Sequence, residues 1–236
     1  MTSVIARCGI ESMAPEGLTD SLSGGEFPKP YPVQPQGSRL AAWVLGALRW
    51  KLRFDGLPAQ QGVLVVYPHT SNWDFVVLIL AKWALGVQAS FWGKDSLFRI
   101  PLFGRWLRWM GGVPVDRSAS RGVVGQMVDL LRERQARNGY FWLALSPEGT
   151  RRAQPGWRSG FYRIAVQARV PLGLVRADFG RREIAAVDFL WLSGDEQQDM
   201  ARIASVYEGV RGYRPGQAAP VRLMGNNASQ QQSESA

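Results

Sequence analysis

The chain has 236 residues, 46% of them apolar, and a formal net charge of +9, so it can bury a packed core and remain cationic. Its single cysteine, Cys8, excludes an intrachain disulfide, and its single histidine, His69, excludes every multi-histidine metal motif. These counts leave open only a metal site made of carboxylates, and we expect no metal. No apolar run approaches the ~20 residues that span a bilayer, so no transmembrane helix is predicted.

The positive charge is concentrated in the middle of the chain. Residues 39–182 contain 22 Lys/Arg and 8 Asp/Glu, a net charge of +14. A body of this charge attracts polyanions, so nucleic acid, an anionic membrane and a phosphorylated substrate all fit as partners. A basic surface that only maintains solubility fits equally well. Charge alone does not choose among these interpretations.

Both ends of the chain are predicted to be flexible. Residues 1–38 contain a stretch rich in proline and glycine, which predicts a flexible leader. Residues 211–236 are predicted to be a flexible C-terminal tail for the same reason. Residues 39–210 remain as a single α/β domain. Residues 1–13 lack the charged and apolar regions of a secretory signal, so we expect a cytoplasmic location.

Residues 39–53 form the first predicted helix. Its apolar side chains recur at helical spacing, with Arg39 and Arg49 towards its ends and Ser38 as a natural N-cap. A basic amphipathic helix that contains tryptophan, here Trp43, can lie in the headgroup region of an anionic membrane. A first helix packed on the core explains the same pattern. Both interpretations stay open.

Short apolar runs then alternate with longer helical patterns. This alternation predicts an α/β fold, a mostly parallel sheet flanked by helices on both faces, with a ligand crevice beyond the carboxyl ends of the strands. The predicted strands are residues 63–67, 89–92, 113–116, 140–145, 171–175 and, at an edge, 184–192. The predicted helices are residues 73–85, 98–110, 122–137, 160–168 and 196–210.

An HxxxxD pattern, from His69 to Asp74, lies between the first of these strands and the following helix. Ser71 can cap that helix, which puts His69 in the turn and Asp74 in the first helical turn. A carboxylate bonded to one imidazole nitrogen raises the basicity of the other, as a general base for a hydroxyl requires. The alternative is a turn histidine beside an aspartate that complements the helix dipole.

A second polar group, the sequence SPEGTR of residues 146–151, directly follows the strand of residues 140–145. Gly149 permits close backbone approach, and Arg151 can hold a phosphate or carboxylate through two hydrogen bonds. Glu148 can orient that arginine or accept a hydrogen bond from a substrate hydroxyl. The alternative is a polar loop with an ordinary salt bridge.

Two more cations follow strands of the predicted sheet. Arg117 comes directly after the strand of residues 113–116, with Asp116 as its candidate partner, and Lys94 follows the strand of residues 89–92. If the strand order is right, both lie at the same edge as His69 and are candidate anion ligands.

In this order, the motifs resemble those of the glycerolipid acyltransferase family, which contains 1-acylglycerol-3-phosphate and glycerol-3-phosphate acyltransferases. The resemblance covers about residues 57–176. Residues 69–74 match its HxxxxD block, and residues 97–104 together with 112–117 match its middle block. Residues 147–151 match its PEGTR block, and residues 157–165 match the helix entry that follows it. Ser146 stands where the family usually has an aromatic residue.

The resemblance implies roles for these residues: His69 as general base, Asp74 as its partner, and a site for the acceptor's phosphate and glycerol. The residues implied at that site are Arg117, Glu148, Gly149, Thr150 and Arg151. The implied reaction moves a fatty acyl group from acyl-CoA or acyl carrier protein, as co-substrate, to the hydroxyl of a glycerophospholipid precursor, foremost 1-acylglycerol-3-phosphate. No bound cofactor is expected.

The expected partners are an acyl thioester, a phosphorylated lipid acceptor and an anionic membrane surface, with no nucleic acid. We expect a peripheral protein on the cytosolic face of a membrane. Two alternatives remain: an acyltransferase for another lysolipid or an amino-acid lipid, and a nonenzymatic binder of anionic membranes or nucleic acid, which the +14 body also suits.

Overall fold

The structure, a computed structural model, describes residues 27, 29, 31–115 and 122–225. Its strands are β1 Lys51–Phe54, β2 Gln61–Tyr67, β3 Ala89–Lys94, β4 Gly112–Val115, β5 Phe141–Leu145, β6 Leu172–Asp178 and β7 Glu183–Leu190. Its helices are α1 Arg39–Ala47, α2 Asn72–Leu85, α3 Asp95–Phe98, α4 Pro101–Trp109, α5 Gly122–Ala136, α6 Gly160–Ala168 and α7 Glu196–Val206, followed by a 3-10 turn, Pro215–Gln217.

The strands form one seven-stranded sheet in the order β1-β7-β6-β2-β5-β3-β4. The strands from β6 to β4 run parallel to one another, whereas β7 is antiparallel to β6 and β1 is parallel to β7. The predicted α/β fold with a mostly parallel sheet is confirmed. The segment at 184–192 was predicted as an edge strand, which is wrong because β1 pairs along the outer side of β7.

Helices cover both faces of the sheet, and the side chains of β2 show how. Val63 and Val65 point into a core shared with α5, α6 and α7. Leu64, between them, points into a second core shared with α1 and α2. Because successive side chains of a strand face opposite ways, a strand buried on both sides is apolar on both, as residues 63–66 of β2 are. Around Phe98, a smaller cluster packs α4 beside α2.

The first helix is shorter than predicted. It ends at Ala47, and Arg49 adopts a left-handed conformation with φ of 61°, which turns the chain away from the helix axis. From Trp50 to Phe54 apolar and basic residues alternate, and the apolar ones pack against the core while β1 pairs with β7. The predicted helix 39–53 therefore contains a strand with a period of two.

Part of the predicted leader is packed rather than flexible. Residues 1–26, 28 and 30 lie outside the described residues. Tyr31 is buried against Phe189, with ring centroids 5.1 Å apart, and Val33 pairs with Leu57 through two backbone hydrogen bonds. Ser38 caps α1 as predicted by accepting the N–H of Ala41. The ordered domain thus begins before residue 39.

The predicted C-terminal tail is also packed as far as residue 225, and residues 226–236 lie outside the described part. Ala219 and Met224 are buried, and Leu223 forms a parallel bridge with Trp157. These buried residues come singly among prolines and glycines, so no periodic pattern marks them. We refer to residues 211–225 as the C-terminal segment. No helix in the described ranges is long and apolar enough to cross a membrane.

Candidate active site

His69 and Asp74 meet in the turn that joins β2 to α2. The Nδ1 atom of His69 lies 3.3 Å from Oδ2 of Asp74, and the carboxylate is fully buried while 25% of the imidazole is exposed. A five-residue separation does not align two side chains on a helix, but the turn brings the imidazole back over the first helical turn. Nε2 is then the nitrogen that can exchange a proton.

Asp74 also holds the turn itself. Its Oδ2 accepts the backbone N–H groups of Thr70 and Ser71, at 2.5 and 2.8 Å, and the Ser71 hydroxyl in return accepts the N–H of Trp73. This is a capping box at the start of α2. The carboxylate that faces the histidine is therefore fixed by backbone groups, which sets the position of the imidazole.

Glu148 links this turn to the rest of the site. Its side chain is buried, Oε2 accepts the N–H of His69 at 2.6 Å, and Oε1 accepts the N–H of Ala219 at 2.9 Å. Burial raises the pKa of the Glu148 carboxyl, and the two N–H groups oppose that shift by stabilising the charged form. These contacts differ from the predicted contact with substrate, because both oxygens already accept backbone groups. In this structure Glu148 positions His69.

The loop after β5 lies against the start of α2. Arg151 is exposed, and its Nη1 donates a hydrogen bond to Oδ1 of Asn72, the first residue of that helix. Half-buried Thr150 precedes it. The Asp74 carboxylate offsets the partial positive charge of the N-terminus of α2, so the positive charge that can hold an anion at this place comes from Arg151. The arrangement can receive a phosphate or carboxylate beside His69.

The φ of Gly149, 67°, is left-handed, a conformation that side chains with a Cβ atom rarely adopt. A Cβ atom there would lie 2.8 Å from Nε of Arg158, a contact that this flexible side chain can relieve by moving. The side chain of Arg158 is exposed, and its backbone N–H donates a hydrogen bond to the carbonyl of Pro147 at 2.8 Å. Arg158 is thus a second cation against this loop, and sequence reasoning did not select it, because nothing in its spacing separates it from other surface arginines.

The C-terminal segment packs on the same turn and loop. The N–H of Arg214 donates to Oγ1 of Thr70 at 3.1 Å. The side-chain amide nitrogen of Gln217 donates hydrogen bonds to the backbone carbonyl oxygens of Arg151 and Thr70, at 2.7 and 3.1 Å. Burial raises the pKa of Tyr67 to about 12. The hydroxyl of Tyr67 donates a hydrogen bond to the carbonyl of Ala219 at 2.8 Å. This segment therefore fixes the HxxxxD turn and the PEGTR loop together.

The remaining predicted cations are Lys94 and Arg117. Lys94 is the last residue of β3, and only its backbone is described. The strand pairs with β5 at Ala89 and Ser90, and its later residues pair with β4. Arg117, with Asp116, lies outside the described residues. Within the described ranges, no group of three or more metal-binding side chains comes together.

A family model described as Acyltransferase matches residues 51–174, which is more than half of the chain. The chain belongs to the acyltransferase family. The match spans both His69 and Arg151 and ends before the C-terminal segment, although that segment contacts both loops of the candidate site.

Among solved structures, this acyltransferase is similar to the crystal structure of the 1-acyl-sn-glycerophosphate (LPA) acyltransferase PlsC from Thermotoga maritima. The TM-score is 0.46 and the sequence identity 20%, with 70% of this chain and 73% of that chain covered. No curated protein matches the chain.

Proposed function

We propose that this acyltransferase moves a fatty acyl group from acyl-CoA or acyl carrier protein to the hydroxyl of a phosphorylated lipid precursor, 1-acylglycerol-3-phosphate. The proposal rests on the contact of partly exposed His69 with buried Asp74, and on the hydrogen bond that exposed Arg151 donates to Asn72 at the end of the same turn. One place thus combines a base for a hydroxyl with a site for an anion.

In the proposed reaction, Nε2 of His69 removes the proton of the acceptor hydroxyl as its oxygen attacks the thioester carbonyl. Asp74 stabilises the imidazolium that forms, since its carboxylate faces Nδ1. The tetrahedral intermediate then breaks its carbon–sulfur bond, and the imidazolium returns the proton to the departing sulfur. The products are an ester and a thiol, and the enzyme is regenerated without a bound cofactor.

The acceptor's phosphate is proposed to bind between the start of α2 and the loop after β5. Arg151 and Arg158 supply positive charge there, and Gly149 keeps the loop open to close approach because it has no side chain. The predicted ligands Lys94 and Arg117 come from the neighbouring strands and remain part of this proposal. Thr150 offers a hydroxyl beside them.

The function is tested by thiol release from acyl-CoA and from acyl carrier protein across a panel of acceptors. We expect release with 1-acylglycerol-3-phosphate and much less with 1-acylglycerol, which has the same hydroxyl but lacks the phosphate. Equal rates with both would contradict the phosphate site, and an amine acceptor that outperforms them would indicate an amino-acid lipid. Absence of release with every acceptor would contradict the enzyme assignment.

Replacing Arg151 by alanine is expected to raise the KM for 1-acylglycerol-3-phosphate by about 10- to 100-fold, with a smaller change in kcat. A hydrogen bond to a charged group is worth about 1.5 to 3 kcal/mol, less than breaking a fully buried ion pair costs. Arg152, the next residue, is also exposed, so Arg152→Ala removes the same charge as a matched control. Equal KM values for the two variants would remove Arg151 from the acceptor site.

A further inference from the structure

Exposed large apolar side chains are concentrated on one layer of helices. On α1, Leu40 and Trp43 are 71% and 70% exposed, and on α4, Leu102 and Trp109 are 81% and 71% exposed. Trp73 and Trp83 of α2 are exposed as well. The helices on the opposite face, α5, α6 and α7, expose no large apolar side chain. Core packing alone does not account for these exposed side chains, because α1, α2 and α4 already bury other residues, among them Leu45, Val77 and Leu107.

These three helices are joined into one surface. The rings of Trp83 on α2 and Trp109 on α4 are 5.7 Å apart, and the N–H of Ser38, the cap of α1, donates to the carbonyl of Trp83 at 2.7 Å. Half-buried Lys82 donates to the carbonyl of Met110 and ties α2 to the end of α4. We call the outer side of α1, α2 and α4 the aromatic surface, defined by Leu40, Trp43, Trp73, Trp83, Leu102 and Trp109.

The charges on the aromatic surface are of one sign. Arg39, Arg105 and Arg108 are exposed on α1 and α4. The one carboxylate in the three helices is Asp74, which is fully buried at the start of α2. Tryptophan and leucine beside arginine, without exposed acids, is the composition of a protein surface that lies in the headgroup region of an anionic bilayer.

We propose that the aromatic surface docks on an anionic lipid bilayer. Sequence reasoning offered membrane contact for the segment 39–53 alone, whereas the structure extends the contact to α2 and α4. The surface begins next to the candidate active site, because Trp73 lies in the first turn of α2, directly after the HxxxxD turn. Docking would therefore bring His69 to the lipid surface, where a lipid acceptor is presented.

The biological role of this docking rests on the proposed function, since a lipid acceptor is what a membrane supplies. A second copy of the chain is the competing occupant. Charge argues against it, because two copies meeting through this face would bring Arg39, Arg105 and Arg108 towards the same three arginines without an exposed acid to pair with them. Anionic headgroups complement those arginines.

The test is sedimentation of the purified full-length protein with vesicles of phosphatidylcholine alone or mixed with phosphatidylglycerol. We expect binding to the mixed vesicles and weaker binding to phosphatidylcholine. The double variants Leu40→Ser/Trp43→Ser and Leu102→Ser/Trp109→Ser change the most exposed side chains of the surface, so both should fold. Each is expected to weaken binding by roughly tenfold or more, because two apolar side chains no longer enter the bilayer.

Charge is tested separately with a matched pair. Arg105→Gln/Arg108→Gln on α4 should weaken binding to the mixed vesicles, whereas Arg134→Gln/Arg163→Gln removes the same charge from α5 and α6 and should not. Equal losses in the two pairs would mean a general attraction of the cationic body and would overturn the docking surface.

Two further results would overturn the proposal: absence of wild-type binding to either vesicle, or unchanged binding of the Leu102→Ser/Trp109→Ser protein. A wild-type dimer in lipid-free buffer that this variant converts to monomer would assign the surface to a second copy. Vesicle binding is measured without acyl transfer, and thiol release from acyl-CoA reports the proposed function. The two can therefore fail independently.

Discussion

Replacing His69 by alanine is expected to abolish acyl transfer and leave the fold intact. A positioned general base contributes about 100- to 10,000-fold to the rate, and the chain has no other histidine that could take its place. The side chain is partly exposed and its polar contact is with Asp74, so its removal breaks little of the packing. The activity loss should therefore come without a comparable loss of stability.

Three measurements check this expectation on the purified variant: thiol release from acyl-CoA with 1-acylglycerol-3-phosphate, thermal unfolding, and binding to vesicles that contain phosphatidylglycerol. Transfer should be lost, whereas the unfolding temperature and vesicle binding should stay close to the wild type, because His69 is not part of the aromatic surface. Wild-type transfer in His69→Ala protein would refute the mechanism.

The sheet and most helices could be predicted because their apolar patterns are long and regular. The predicted helix 160–168 coincides with α6, and 122–137 differs from α5 by one residue. β1 was missed because Lys51 and Arg53 also fit the basic end of an amphipathic helix. A left-handed residue such as Arg49 has no sequence signature when it is not glycine, so the end of α1 could not be placed.

The pairing of the HxxxxD turn with the PEGTR loop followed from the order of the strands. β2 and β5 are parallel neighbours, with Val65 opposite Leu145, so residues three or four positions later lie side by side. That register accounts for the contact of Glu148 with His69. The contact of Glu148 with Ala219 could not be foreseen, because it joins residues 71 positions apart through a backbone N–H that any residue except proline supplies.

The C-terminal segment shows why composition misled the prediction of a tail. Proline and glycine are typical of flexible ends, but they also allow irregular backbone to pack closely. A Cβ atom at Gly212 would lie 2.8 Å from Oγ1 of Thr70, so glycine is what lets this segment approach the turn. Its order comes from hydrogen bonds to Thr70, Glu148 and Arg151, which leave no periodic trace in the sequence.

Replacing Asp74 by asparagine is expected to lower transfer by about 100- to 10,000-fold with a smaller loss of stability than Asp74→Ala. The geometry of the carboxylate explains the separation. Oδ2 faces His69 and accepts the N–H groups of Thr70 and Ser71, while Oδ1 is buried and makes no hydrogen bond with the described residues. Asparagine can place its oxygen at Oδ2 and its amide nitrogen at Oδ1. It then keeps an acceptor for the N–H groups of Thr70 and Ser71 and loses the charge, while its buried amide nitrogen has no acceptor among the described residues.

Asp74→Ala is the matched comparison, because it removes both the charge and the acceptor of the Thr70 and Ser71 N–H groups. A buried polar group left without a partner costs about 1 to 3 kcal/mol, so Asp74→Ala should unfold at a lower temperature than Asp74→Asn while both lose transfer. Thermal unfolding and thiol release on the two variants separate the roles. If Asp74→Asn transferred acyl groups at the wild-type rate, the buried carboxylate would serve the fold alone, since its charge would then be unnecessary to the imidazole of His69.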